Sequence, residues 1–240
     1  MKYLLIGVML LLAPPNGFSQ SMSGTELLDK TIAYHDPNGN WTDFNGSLSL
    51  ELKRADNSVG TSEVTINLAE EYFDVQIERD DNITGYTVSK GDCSISFNGK
   101  TNPSEEILKE HKLSCERAYL YKNYYTYLYG LPMKLKDPGT HIHPKVALQT
   151  FKGKVYLVLK ATYDEAVGKD VWFFYFDPKT YAMEVYQFFK GDPKAEGKDT
   201  GEYILLSEES MVNGIKMPAV RAWYYNKNNE YLGTDRLKTR

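Results

Sequence analysis

Apolar and polar residues alternate along the first half of this chain, and the alternation restricts the fold more than any other feature. In four stretches, at positions 48–52, 64–68, 73–77 and 93–97, every second residue is apolar. A period of two places successive side chains on opposite faces of a β-strand. Short polar connections at 56–58, 80–82 and 90–92 are typical of turns. The sequence therefore predicts a meander of antiparallel strands with one apolar face and one solvated face.

Strand-like sequence resumes after a central segment, at positions 155–163, 171–177, 182–190, 202–207, 215–225 and 231–237. The helix-like stretches do not alternate with the strands, as parallel βαβ units would require. We therefore expect a mainly β (α+β) fold, with an antiparallel sheet of about ten or eleven strands and about two or three helices.

The central segment at 119–135 is the most aromatic part of the chain, with six tyrosines at positions 119–129. Gly130 is expected to end a helix in a left-handed conformation, and Pro132 cannot continue it. Whether residues 114–131 form one helix or two is left open. Five residues share one helical face: Leu120, Tyr124, Tyr127, Leu128 and Leu131.

A tyrosine ring is apolar and its hydroxyl needs a partner or water, so this helix suits the wall of a partly wet cavity on the concave face of the sheet. The stretch at 171–177 is apolar on both faces and would form the opposite wall. The predicted ligand-binding residues are Tyr124, Tyr127, Leu128, Leu131 and Met133 from the helical segment, and Trp172, Phe174 and Phe176 from the strand.

Candidate catalytic chemistry is weak. No nucleophile elbow, P-loop or dinucleotide fingerprint is present, and we assign no catalytic residue, metal ligand or cofactor. His141 and His143 would share one face of a strand, but a third ligand does not follow nearby. His35, followed by Asp36, is expected to cap the carbonyl groups at the end of the first helix rather than to form a catalytic dyad.

The composition of the chain limits the classes of partner that it can bind. The net charge is −4 and no basic run is present, so a nucleic-acid partner is not expected. An apolar or amphipathic small molecule, or a lipidated protein, suits an aromatic cavity better. Two alternatives stay open: an envelope module that binds another protein through a sheet edge or aromatic patch, and a hydrolase that uses scattered carboxylates. A filled core without a cavity would favour the module.

The N-terminus predicts export. A lysine, an apolar run at 4–13 and small residues at 17 and 19 are typical of a signal peptide spanning residues 1–19, which leaves a single domain at 20–240. The apolar run is too short to span a bilayer, and no cysteine near the cleavage point offers a lipid anchor. We therefore expect a periplasmic monomer that is neither membrane-anchored nor a lipoprotein.

Cys93 and Cys115 are the two cysteines of the chain. In an oxidising compartment they are expected to form a disulfide, which would stabilise the fold by roughly 3 kcal/mol; two free buried cysteines are the alternative.

Several longer motifs together carry a resemblance to a known superfamily: Tyr34-His-Asp-Pro37, Tyr129-Gly-Leu-Pro-Met-Lys-Leu135, Asp137-Pro-Gly-Thr140, Tyr175-Phe-Asp-Pro178 and Gly214-Ile-Lys-Met-Pro218. The chain resembles the LolA/LolB-like superfamily, which includes bacterial lipoprotein carriers, and more closely a family of exported bacterial proteins of unknown function with that fold. The resemblance implies a half-open, strongly curved antiparallel sheet, helices that cover its concave face, and a cavity for acyl chains or another apolar group.

Overall fold

A computed structural model describes residues 22–238 of the chain. The expected signal peptide at 1–19 lies outside the described residues. Within residues 22–238 the helices are α1 (Gly24–His35), α2 (Glu105–Glu110), α3 (Cys115–Gly130) and a 3₁₀ helix at Met133–Lys136.

Fourteen strands are present in the same range, and all of them belong to one antiparallel sheet. Their bounds are β1 Asn45–Arg54, β2 Val59–Asn67, β3 Tyr72–Arg79, β4 Asn82–Ser89, β5 Asp92–Phe97, β6 Lys100–Thr101, β7 Thr140–Ile142, β8 Ala147–Phe151, β9 Lys154–Tyr163, β10 Asp170–Phe176, β11 Met183–Lys190, β12 Glu202–Val212, β13 Ile215–Tyr225 and β14 Tyr231–Lys238.

Two meanders make up the sheet. Strands β1 to β6 follow one another on one side and β9 to β14 on the other, and the pairing of β1 with β14 joins the two halves, with Leu50 opposite Leu237. β7 and β8 both pair with the outer side of β9. The result is an open, curved, mostly β structure, which confirms the predicted fold class.

The structure contains four strands beyond the ten stretches that the sequence indicates, namely the eight-residue strand β4 and the short strands β6, β7 and β8. In β8 four of the five residues are exposed, so no face of this edge strand carries an apolar period. Periodicity reports burial on one face, and it therefore cannot detect a strand that has neither face buried.

α1 begins at a capping box and ends at His35, which fixes the helix to the sheet. Ser23 and Glu26 each bond to the other's backbone N–H. The sequence predicts that His35 caps the last carbonyl groups of the helix, and this prediction is wrong. The buried ring of His35 bonds to two strands instead: Nδ1 donates to the carbonyl of Lys216 at 2.7 Å, and Nε2 accepts from the N–H of Met183 at 3.0 Å.

α3 is one uninterrupted helix, capped at its start by Ser114. The Cys93–Cys115 disulfide, with Cα atoms 5.8 Å apart, fastens this end to β5 and confirms the predicted bridge. The expected left-handed cap at Gly130 is wrong, since Gly130 lies within the helix and Leu131 follows in extended conformation. Glycine is required there for a different reason: a Cβ atom would lie 2.3 Å from Trp41 Cζ2.

One large core lies between the inner face of the sheet and the helices. α1 contacts β9 and β13, whereas α3 contacts β3, β4 and β5. A smaller apolar cluster around Tyr156 and Tyr175 covers the opposite face of β9 and β10. β10 is therefore covered on both faces, as its unbroken apolar sequence predicts.

Candidate functional site

A cleft of about 840 Å³ lies between α3 and the inner face of β10 to β13. It exists because α3 packs on the other half of the sheet, against β3 to β5, and leaves the second half of the inner face partly uncovered. Its volume falls within the usual range for small-molecule sites, roughly 300–1,000 Å³.

α3 has two aromatic faces with different roles. One face packs on the sheet, where Tyr121 and Tyr125 lie against Tyr86 and Phe73, with ring centroids 5.4 and 6.2 Å apart. The other face lines the cleft: Leu120, Asn123, Tyr124, Thr126, Tyr127 and Leu128. The helical face predicted from the sequence is therefore mainly the one that lines the cleft.

The sheet wall of the cleft is built from a cross-strand row. Trp172 in β10 is paired with Phe188 in β11, and their rings are stacked with centroids 4.9 Å apart. Directly paired residues project from the same face of an antiparallel sheet. Tyr127 of α3 meets Trp172 edge to face at 5.4 Å, and Tyr124 stacks on Trp223 of β13 at 6.1 Å.

The tyrosine hydroxyls of the cleft are held by hydrogen bonds. Tyr124 Oη and Trp223 Nε1 each donate to Asp235 Oδ2 at 3.2 Å, and the hydroxyls of Tyr127 and Tyr163 bond to each other. Burial raises the pKa of Tyr124 and Tyr127 well above the usual value, and that of Tyr163 to about 12. These hydroxyls therefore stay neutral at physiological pH and fix the orientation of the rings.

The mouth of the cleft has apolar side chains on opposite sides. Leu120 of α3 is 64% exposed, and Val167, in the loop between β9 and β10, is 59% exposed. Lys134 and Asp137 also line the cleft and pair with each other. These exposed apolar side chains form a surface on which the apolar part of a ligand can lie where it leaves the cleft.

Two further carboxylates line the cleft, Asp170 and Glu202. They are the first residues of β10 and β12, and therefore lie at the same end of the sheet. Burial raises the pKa of both groups, while the charge of Lys190 at the end of β11 acts in the opposite direction. Among the described residues neither carboxylate forms an ion pair or a hydrogen bond through its side chain.

The structure divides the predicted binding residues into two sets. Tyr124, Tyr127, Leu128 and Trp172 line the cleft. The other four lie in the packed core and do not line it: Leu131, Met133, Phe174 and Phe176. The chain leaves the helix at Leu131, which carries Leu131 and Met133 away from the cleft face. Phe174 and Phe176 share a face with Trp172 but lie farther along β10, where the core is filled.

Four important residues of the site were not predicted from the sequence: Phe188, Trp223, Asp170 and Glu202. They reach the cleft through the pairing of β10 to β13, and the register across the polar loop at 191–200 cannot be read from one strand at a time. For Phe188 the sequence contains a partial indication, because the alternation within 182–190 places it on the same face as Tyr186.

The two histidines of the sequence motif lie away from the cleft. His141 Nε2 is 2.6 Å from Asp164 Oδ1 in an exposed pair, and His143 accepts the N–H of Lys145. Within residues 22–238 no three His, Cys, Asp or Glu side chains are grouped to hold a metal ion. In the same range no helix is both long and apolar enough to cross a bilayer.

Comparison with solved structures gives the fold a name. The chain is similar to a LolA superfamily protein from Nitrosomonas europaea, with a TM-score of 0.53 and 11% identity over 91% of this chain and 93% of that one. A DUF1329 family protein from Desulfovibrio piger has a TM-score of 0.47 and 7% identity, covering 90% of this chain and 91% of that one. A search of curated protein sequences found no match. At the level of sequence, residues 2–238 match a family of unknown function, DUF6503, and the chain belongs to that family.

Proposed function

We propose that this chain is an exported binding or carrier protein that holds an apolar or amphipathic ligand, such as a lipid or the acyl chains of a lipidated protein, in the cleft between α3 and the sheet. One observation carries the proposal: the cleft of about 840 Å³ is walled by aromatic side chains of α3, β10, β11 and β13. A concave, mostly apolar cleft of this size is typical of a small-molecule site. A chain that leaves it open has a surface suited to a ligand.

The energetics favour a long apolar tail. Each Å² of apolar surface removed from water contributes about 25 cal/mol, so a tail lying along Trp172, Phe188 and Tyr127 would gain several kcal/mol before the cost of association. Three rings of the cleft are already oriented by hydrogen bonds, since Tyr124 and Trp223 bond to Asp235 and Tyr127 bonds to Tyr163. Little ordering of the protein is then needed on binding.

Two further features support the exported carrier. The chain has the fold of a LolA superfamily protein, and its sequence motifs resemble the superfamily that includes bacterial lipoprotein carriers. The Cys93–Cys115 disulfide suits an oxidising compartment such as the periplasm, and residues 1–19 have the pattern of a signal peptide. The domain at 20–240 would then act there as a soluble monomer.

Native mass spectrometry of the protein purified from its own compartment tests the proposal. We expect a discrete mass increment that denaturing extraction releases as an amphiphile. Leu120→Glu, which places a charge at the mouth, should lower the bound fraction. Leu148→Glu is the matched control, because Leu148 is 70% exposed on β8 and lies outside the cleft. A ligand-free mass that persists after incubation with lipids and detergent-like amphiphiles would contradict the carrier function.

The hydrolase alternative has one observation in its favour, the half-buried carboxylates Asp170 and Glu202 within the cleft. A carboxyl group with a raised pKa can act as a general acid. Among residues 22–238, no histidine, serine or cysteine lines the cleft. The test is hydrolysis of glycoside substrates. If the unmodified protein hydrolyses them and Glu202→Gln does not, the protein is a glycosidase and not a carrier.

A further inference from the structure

We propose that the ligand of this cleft carries an ammonium group, which Asp170 and Glu202 receive beside the ring faces of Trp172 and Phe188. The inference rests on the proposed binding function and specifies the polar end of the ligand. It concerns one chemistry, a positively charged amine on an apolar tail.

Strand pairing places the two carboxylates next to the aromatic rings. Phe188 of β11 is paired with Trp172 on one side and with Glu202 on the other, so the three side chains form one row on the same face. Asp170 lies two residues before Trp172 in β10 and therefore on that face as well. The acidic end and the aromatic wall are thus parts of one surface.

The charges that line the cleft are unequal. Lys134 and Asp137 pair with each other, whereas Asp170 and Glu202 form no ion pair among the described residues. Lys190 is the direct strand partner of Asp170, and its charge acts against both carboxylates, so the three ionised groups together carry one net negative charge. A phosphate or carboxylate head group would be repelled here, whereas an ammonium group would be attracted.

The aromatic rings add a second attraction to the same cation. An ammonium group over the face of a tryptophan or phenylalanine is stabilised by the ring quadrupole, and aromatic surroundings are how proteins recognise alkylated ammonium groups. Phe188, which stacks on Trp172, is paired directly with Glu202 and brings an aromatic ring next to that carboxylate. The alkyl tail would then follow the wall towards Tyr127 and Trp223.

Burial of the carboxylates is consistent with a charged partner. Desolvation raises the pKa of Asp170 and Glu202 because burial disfavours their ionised forms. A bound cation would favour the ionised form, so binding of the amine should lower the pKa of both carboxyl groups.

Three amphiphiles with the same dodecyl chain separate the head group from the tail: dodecyltrimethylammonium, dodecyl maltoside and dodecanoate. Each is titrated into the full mature protein below its critical micelle concentration, and binding is followed by calorimetry. We expect the ammonium compound to bind about tenfold more tightly than the maltoside, with dodecanoate weakest. The double variant Asp170→Asn with Glu202→Gln should remove the preference and retain maltoside binding.

A matched control keeps the test specific. Asp81→Asn with Glu110→Gln makes the same change in net charge at exposed positions outside the cleft, and it should retain the full ammonium preference. Equal binding of all three amphiphiles to the unmodified protein would overturn the head-group inference and leave the carrier function standing. Binding of none of them would overturn both. The comparison on the unmodified protein decides the question even if the double variant fails to fold.

A lipid source is distinguished from a free amine by two lysophospholipids. Lysophosphatidylethanolamine carries an ammonium group and lysophosphatidylglycerol does not, although both carry a phosphate. Preferential binding of the first supports a phospholipid as the source of the amine. Binding of dodecyltrimethylammonium without either lysophospholipid identifies a phosphate-free amine as the ligand instead.

Discussion

Gly130 and Trp41 are in direct contact: the indole of Trp41 occupies the space in which any other residue at position 130 would place its Cβ atom, 2.3 Å from Cζ2 and 2.5 Å from Cε2. This contact sets how deeply the end of α3 enters the core. The depth of α3 in turn determines how much of the inner face stays open as the cleft.

Gly130→Ala should destabilise the protein by about 1–3 kcal/mol, although alanine favours a helix more than glycine does, because the methyl group must displace a buried indole. Urea unfolding measures the change. Gly168→Ala is the control, since no atom lies within 4 Å of the added Cβ there. If the contact is the cause, adding Trp41→Leu to Gly130→Ala should cost less than the two single changes together.

Arg221 and Tyr129 are expected to be coupled. The guanidinium carbon of Arg221 lies 3.8 Å from the centroid of the Tyr129 ring, and the same side chain donates to the carbonyl of Pro218 at 2.8 Å. A double-mutant cycle of Arg221→Lys and Tyr129→Leu, measured by urea unfolding, should give a coupling energy of about 1–2 kcal/mol, because lysine lacks the planar group that stacks on the ring. Additive effects would exclude a direct contribution from the stacking.

His35 should make the fold sensitive to mild acid. Its Nε2 accepts the N–H of Met183, so protonation of Nε2 would place its new N–H against that N–H and break the hydrogen bond. Burial also lowers the pKa of the His35 ring. Since the folded pKa lies below the unfolded value of about 6.5, stability is fully present above that pH and is lost as the pH falls through the folded pKa.

The measurement is the unfolding midpoint of the unmodified protein and of His35→Asn at pH 8 and pH 5. The unmodified protein should lose more stability between these values than the variant does. Asp170, Glu202 and Asp235, whose pKa values burial raises, act with the opposite sign in both proteins and cancel in the comparison. Equal losses would rule out His35 as the group responsible.

Removal of the disulfide should loosen one end of α3. Cys93→Ser with Cys115→Ser is expected to lower the free energy of unfolding by about 3 kcal/mol. Amide hydrogen exchange should rise in the first half of α3 more than in β10 or β11. Uniform exchange across the helix and the sheet would show that the bond does not act locally.

Tryptophan fluorescence can locate the ligand. Of the three tryptophans, Trp172 and Trp223 line the cleft. Trp41 is buried in the core, where it packs against Gly130 at the end of α3. A brominated alkyl chain that enters the cleft should quench the first two and spare the third. Trp172→Phe with Trp223→Phe should then leave a signal that the amphiphile does not quench; quenching of Trp41 would place the ligand elsewhere.

The sequence predicted the sheet better than the site. Burial on one face leaves a period of two, so Leu48, Val64 and Phe73 marked their strands correctly, and all three are fully or almost fully buried. The cleft depends on which strands lie side by side and in which register. Trp172 was found because its own strand is conspicuously apolar, but Glu202 is a polar residue at the start of a strand and acquires its place only through its pairing with Phe188.

Local sequence pattern also predicted only part of helix α3. Helical spacing correctly grouped Tyr124 and Tyr127, yet it continued the pattern to Leu131, beyond the point at which the helix ends. The close approach of Trp41, which comes from a distant part of the chain, explains Gly130 better than any local turn preference does. A contact of that kind leaves no trace in the local pattern.

The position of β14 has a consequence for the order of events in the cell. The last strand of the sheet in sequence, β14, lies between β1 and β13 in the middle of the sheet. The ribosome must release residues 231–238 before the two meanders can join, and Asp235, which anchors Tyr124 and Trp223, arrives with them. The two meanders therefore stay unjoined until residues 231–238 can pair, and the cleft between α3 and the sheet is completed only after that step.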